Sequence, residues 1–150
     1  MAGRWFDQWQ VGERIAHEIR RTVTETDNLL FSTMTHNPQP LHLDREAAKA
    51  SEFGQIIVNG TFTFALMIGL SVGDTTLGTL VANLGYDKLV MPKPVFIGDT
   101  LRVDTEVVTI KESRSRPDAG IVTFLHRAIN QRDEIVCQCL RSALIKRKPT

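Results

Sequence analysis

The sequence predicts an α+β fold: one buried helix packed by a run of antiparallel strands. The first observation is the segment Gly60 to Val72, Gly-Thr-Phe-Thr-Phe-Ala-Leu-Met-Ile-Gly-Leu-Ser-Val, which has no wide polar face and suits a helix buried nearly all round, Ala65 included. Its 13 residues are short for a membrane span. Periodicity alone leaves a strand open for the same segment. The second observation is the pattern of the C-terminal half. Leu80–Leu89, Leu101–Ile110, Ile121–Asn130 and Ile135–Ile145 all carry strand patterns. They are separated by Met91-Pro-Lys-Pro94, by the charged stretch Lys111–Gly120 and by Gln131-Arg-Asp-Glu134. A single helix with sequential antiparallel strands makes a layered α+β arrangement.

Taken in order, Trp5–Arg14 is a mixed aromatic and polar lead-in with a turn at Val11-Gly-Glu13. His17–Thr24 ends in β-branched residues and reads as a strand. Thr26 is the candidate N-cap of the next helix, with Asp27 favourable in its first turn. Leu29, Leu30, Thr33 and Met34 then recur at helical spacing, giving a short amphipathic helix. Pro38 and Pro40 stop that helix and push Asn37 and Gln39 towards extended backbone. Asp44 is placed to N-cap Arg45–Ala50. Gly73–Gly78 reads as a loop, and Gly85 as a bulge or close approach within its strand.

Size and composition bound the function. One domain covering residues 1–150 is expected, large enough for a substantial core. Eighteen basic against 17 acidic residues leave a net charge of +1, so nothing overall draws the chain to nucleic acid. The absence of an apolar leader or a membrane span points to a cytoplasmic enzyme or binding protein. Cys137 and Cys139 lie two apart on a strand, and with no second Cys pair they read as packing thiols; no metal site is expected.

The chemistry concentrates in Phe31-Ser-Thr-Met-Thr-His-Asn-Pro-Gln-Pro-Leu-His-Leu-Asp44. In a straight extended chain Asn37 and His42, five apart, would face opposite ways; a turn could bring them into one pocket. On spacing alone these residues fit a capping loop with a surface histidine equally well.

This run resembles the signature of the MaoC-like (R)-specific enoyl-CoA hydratases: an aromatic, a small residue, Gly-Asp-x-Asn-Pro-Leu-His, then a short helix. Phe53-Gly54 through Ile57 to Asn59-Gly60 is similar to the family's Phe-Gly-x-x-Ile-x-His-Gly, and Pro94-Val-Phe-Ile-Gly-Asp99 to its Pro-Val-x-x-Gly-Asp. Order and spacing agree over roughly residues 10 to 146. The resemblance implies a hotdog fold, a curved antiparallel sheet wrapped around the central helix. It also implies a homodimer or higher homo-oligomer paired edge to edge. Its implied activity is hydration or dehydration of an enoyl-CoA thioester, with CoA part of the substrate and no separate cofactor.

By the same resemblance His42 is the acid–base residue and the Gly60 N–H, at the start of the central helix, holds the thioester oxygen. The chain departs from the pattern where Asn37 replaces the family's acid, His36 its glycine, Gln39 its asparagine and Asn59 its helix-start histidine. An amide positions water or a carbonyl but does not titrate. Two unit charges 4 Å apart at an effective dielectric of 20 repel by about 4 kcal/mol. An acid at position 37 would therefore disfavour an acyl group carrying its own carboxylate, and Asn37 removes that penalty. The Asn-Pro-Gln-Pro-Leu-His run looks like the branch containing mesaconyl-CoA (β-methylmalyl-CoA) and itaconyl-CoA hydratases. A branched C5 dicarboxylyl-CoA is the expected substrate, with Arg45 and Lys93 as candidate cationic contacts beside Gln39 and Asn59. A non-catalytic acyl-CoA binding module and a hotdog thioesterase stand as alternatives, since fold does not fix function.

Overall fold

The helix expected at the apolar run is α4, Gly60–Thr75, in a computed structural model that describes residues 3–149. It runs on through Gly73 to Thr75, where the sequence suggests a loop, because Asp74 is anchored by a bond to His17 (Oδ2 to Nδ1, 2.8 Å). The sheet covers only one side of α4. Thr63, Met67, Ser71 and Thr75, one every four residues, form its fully buried stripe, whereas Thr61, Ala65 and Gly69 are exposed. The expectation of burial nearly all round is corrected accordingly: this helix is apolar on flanks that the chain itself leaves half open.

Before α4 come a 3-10 turn at Phe6–Gln8, β1 (Arg14–Ala16), β2 (Arg21–Thr22), α1 (Glu25–Met34), α2 (Pro40–Leu43) and α3 (Arg45–Ala50). After it come β3 (Leu80–Val90), β4 (Thr100–Glu112), β5 (Ala119–Ile129) and β6 (Ile135–Lys146). The sheet is antiparallel in the order β1-β4-β5-β6-β3, and β2 pairs separately with β4. β3 lies at an edge, with register shifts against β6 on either side of Gly85, and it exposes Leu84, Tyr86, Leu89 and Val90. Met67 packs with Leu101, Val103, Cys137 and Cys139 beneath α4. A second cluster, Phe6, Trp9, Val107, Phe124 and Ile145, closes the other end, with Trp9 edge-on to Phe124 at 5.0 Å. Both thiols are free and buried, which pushes Cys137 up to about 12 and Cys139 to about 11 and leaves them unreactive. No helix among the described residues is long and apolar enough to cross a membrane.

The strand expected at His17–Thr24 is broken. β1 stops at Ala16 because His17 turns inward, where its Nε2 meets Thr105 Oγ1 at 2.8 Å. Thr105 Oγ1 in turn meets His126 Nδ1 at 2.7 Å. Burial, with Arg141 and His17 nearby, lowers His126 to about 3, so the ring is neutral.

Helix α1 also departs from expectation. Its N-cap is Thr24, not Thr26. The Asp27 N–H donates to Thr24 Oγ1 (3.2 Å) and the Thr24 N–H to Asp27 Oδ2 (2.8 Å), a reciprocal capping box. The side turned inward is polar, Asn28 and Ser32, while Leu29, Leu30 and Met34 are exposed. The reason for this inversion lies in the site that α1 supports.

Candidate active site

Two segments meet under α1: the proline loop carrying His42 and the chain entering α4. Asn37 Oδ1 accepts the Gln39 N–H at 3.1 Å, a local turn of the kind asparagine favours. That turn delivers Pro40 to the first position of α2, where its missing N–H costs nothing. One turn later Asp44 closes α2 and caps α3, its Oδ1 accepting the Glu46 and Ala47 N–H groups. His42, on that single turn, is half-buried, and its Nδ1 lies 2.8 Å from the Ile57 carbonyl oxygen. A carbonyl only accepts, so the neutral ring carries its proton on Nδ1 and leaves Nε2 as the basic nitrogen.

The start of α4 is held from the other side. Asn59 is its N-cap, with Oδ1 accepting the Thr61 N–H at 3.0 Å and Nδ2 donating to Ser32 Oγ at 3.3 Å. The Asn59 N–H donates to Asn28 Oδ1 at 2.9 Å, and Asn28 Nδ2 donates to the His42 carbonyl at 2.9 Å. One buried amide therefore ties the histidine loop to the helix start. Among the described residues no acceptor takes the Gly60 N–H, one of the orphan donors of a helix N-terminus. A Cβ at Gly60 would lie 2.4 Å from Met91 Sδ, so a side chain there would push the flexible, exposed Met91 thioether aside.

His42, Gly60, Thr63 and Lys93 line one cavity of about 370 Å³ with Phe53, Ile57, Val58, Met91, Pro92, Pro94, Val95 and Val136. The wall is apolar and has no carboxylate; Lys93 is its one formally charged residue. Of the residues singled out in the sequence, His42, Gly60 and Lys93 are thus brought together. Asn59 lies behind the wall as the helix cap, and Asn37 and Gln39 are on the loop leading to it. Arg45 lines a separate cavity of about 440 Å³ with Lys49 and pairs with Glu25 at 2.5 Å. Asn28, Ser32 and Thr63 escape sequence reasoning. For the first two, the only signal is a pair of polar residues four apart, hence on one face of the helix.

The model of the MaoC like domain family matches residues 7–128. The chain belongs to that family. Its MaoC-like domain is 35% identical over 149 residues to a mesaconyl-CoA hydratase of Cereibacter sphaeroides, covering 99% of this chain and 43% of that protein. The chain thus spans less than half the length of that relative. The crystal structure of a MaoC-like dehydratase from Rhodospirillum rubrum matches with a TM-score of 0.87 and 33% identity, covering 99% of this chain and all of that one. A Mycobacterium tuberculosis protein described as having a double hotdog fold matches with a TM-score of 0.88 at 23% identity, covering 98% of this chain and 45% of that one. The fold is the hotdog fold, as the sequence resemblance implied.

Proposed function

We propose that this MaoC-like domain hydrates, and in reverse dehydrates, the α,β-unsaturated thioester of a branched C5 dicarboxylyl-CoA of the mesaconyl type. One observation carries the reading. His42, with its basic Nε2, and the unpaired Gly60 N–H share the wall of an apolar cavity that holds a lysine and no acid. The thioester oxygen accepts from the Gly60 N–H, where the positive end of the α4 dipole favours the charge that develops. His42 Nε2 takes a proton from water, the oxygen of that water bonds to the β-carbon, and the double-bond electrons move onto the thioester oxygen. The resulting enolate collapses as Nε2–H returns the proton to the α-carbon. One H and one OH have then been added and the ring is regenerated. Asn37 serves by shaping the turn that presents His42, and its lack of charge keeps repulsion away from an anionic acyl group. The resemblance of the chain to a mesaconyl-CoA hydratase supports the choice of substrate.

A homodimer belongs to the same proposal. β3 is an open edge with Leu84, Tyr86, Leu89 and Val90 uncovered, and Ala65 and Gly69 leave a smooth exposed strip on α4. A second copy along β3 would cover both and set two hotdog units side by side, as the double-hotdog neighbour carries two in one chain. A cytoplasmic setting fits the two free thiols.

Mesaconyl-CoA mixed with the purified protein tests the reaction. Loss of enoyl-thioester absorbance without release of free thiol is expected. Thiol release would make the protein a thioesterase, and binding without either change would make it an acyl-CoA binding module.

A further inference from the structure

The buried stripe of α4 carries three hydroxyl side chains, and two are paired within the helix. Thr75 Oγ1 donates to the Ser71 carbonyl at 2.6 Å and Ser71 Oγ to the Ile68 carbonyl at 2.7 Å. Thr63, only 2% exposed, is the exception, because its Oγ1 has no partner among the described residues. It makes no bond to the carbonyl four residues back, Asn59, of the kind that Thr75 makes to Ser71. An unpaired buried hydroxyl weakens a fold, and valine would fill the same volume without that cost. Thr63 is also on the wall of the cavity that holds His42 and Gly60.

We propose that Thr63 Oγ1, with Lys93 at the same cavity, forms the subsite for the free carboxylate of the acyl group and so selects a dicarboxylyl over a monocarboxylyl thioester. The assignment rests on the reading of this cavity as the thioester site. Residues three apart on a helix share a face, and the rise from Gly60 to Thr63 is about 4.5 Å. The two carbonyl carbons of a trans four-carbon enoyl diacid are about 3.8 Å apart, as across a trans peptide. A thioester oxygen on the Gly60 N–H therefore brings the free carboxylate level with Thr63, whose hydroxyl, covered in this structure, donates to it once χ1 turns it towards the cavity. Lys93 supplies the opposite charge. The acid it acts on, Glu134, is already bonded to Asn130 and Arg132, leaving the lysine available to a ligand. With no carboxylate on the wall, nothing there opposes the anion.

Steady-state kcat/KM for mesaconyl-CoA and crotonyl-CoA, measured on the wild type, Thr63→Val and Thr63→Ser, tests the subsite. Thr63→Val should lower the mesaconyl-to-crotonyl ratio by about ten-fold or more, the loss expected for one hydrogen bond to a charged group. Thr63→Ser should bring the ratio back to near wild type, and Thr63→Val should melt at or above the wild-type temperature. Equal losses on both esters or an unchanged ratio would overturn the assignment. If the wild type turns over neither ester, the hydratase reading has failed. Calorimetric titration of the same two esters then decides the subsite by the same ratio, in dissociation constants.

Discussion

Replacing Asn28 by alanine removes the amide that joins the histidine loop to the start of α4. Two groups lose their partners: the Asn59 N–H and the His42 carbonyl, each bonded at 2.9 Å. An orphaned buried polar group costs about 1–3 kcal/mol. Asn59 is buried and belongs at the upper end of that range; His42 is half-buried, water can reach its loop, and its carbonyl belongs at the lower end. The sum is about 4 kcal/mol, or about 8–16 °C in melting temperature for a chain of this size. Asn28→Asp separates the two bonds. Its carboxylate still accepts from Asn59 but loses the donor to His42 and sets negative charge against a carbonyl oxygen. That raises the carboxyl above its usual range, and the protonated acid donates again. A group whose folded pKa is raised contributes stability at low pH and loses it as pH rises. The gap between Asn28→Asp and wild type in urea unfolding should therefore widen from pH 5 to pH 8. Because His42 is displaced more than the cavity is closed, kcat should fall further than KM rises. An alanine variant within 1 kcal/mol of wild type, or an aspartate gap indifferent to pH, would refute the bridging role.

Three other outcomes rest on particular contacts. Gly60→Ala should fold with little loss, since Met91 is a flexible and exposed neighbour, yet kcat/KM should fall because the displaced thioether intrudes on the cavity; unchanged kinetics would contradict this. Ala65→Asp, on the exposed strip of α4, should turn the proposed dimer into a folded monomer by analytical ultracentrifugation; a dimer that survives would contradict the proposed interface. His126, held neutral at about 3, takes up a proton on unfolding at any pH between that value and about 6.5, so stability should decline as pH falls through this window. At 1.36 kcal/mol per pKa unit the full decline is about 5 kcal/mol. His126→Asn should flatten the pH 4–6 part of the profile, whereas carboxylates held low, such as Asp99 with its Phe96, Gln131 and Arg132 partners, act mainly below that.

The parts of this fold that are legible in the sequence are those whose cause is local. The apolar run of α4, the alternation of β4 to β6, the Asp44 cap and the proline loop all follow from neighbours a few residues apart. The misreadings share a different origin. Leu29 and Leu30 suggest the buried face of α1 by their spacing, but that face answers to Asn59 and His42, far along the chain and in need of polar partners. The strand after His17 breaks, and α4 outruns its expected end, because of one contact between His17 and Asp74, 57 residues apart. The site divides in the same way. His42 and Gly60 are found through a motif, whereas Thr63 stands out only once its hydroxyl is seen to be the unpaired one of three.

The central claim is that His42 Nε2 moves the protons of a hydration reaction at the Gly60 N–H. The most direct test is the turnover of mesaconyl-CoA by His42→Ala, compared with wild type at equal folded concentration. The fold should survive, because the Nδ1 bond to Ile57 ties down only a single-turn helix. With general acid–base help removed, kcat should fall by at least about 100-fold. Near-normal turnover in the folded variant would contradict the claim.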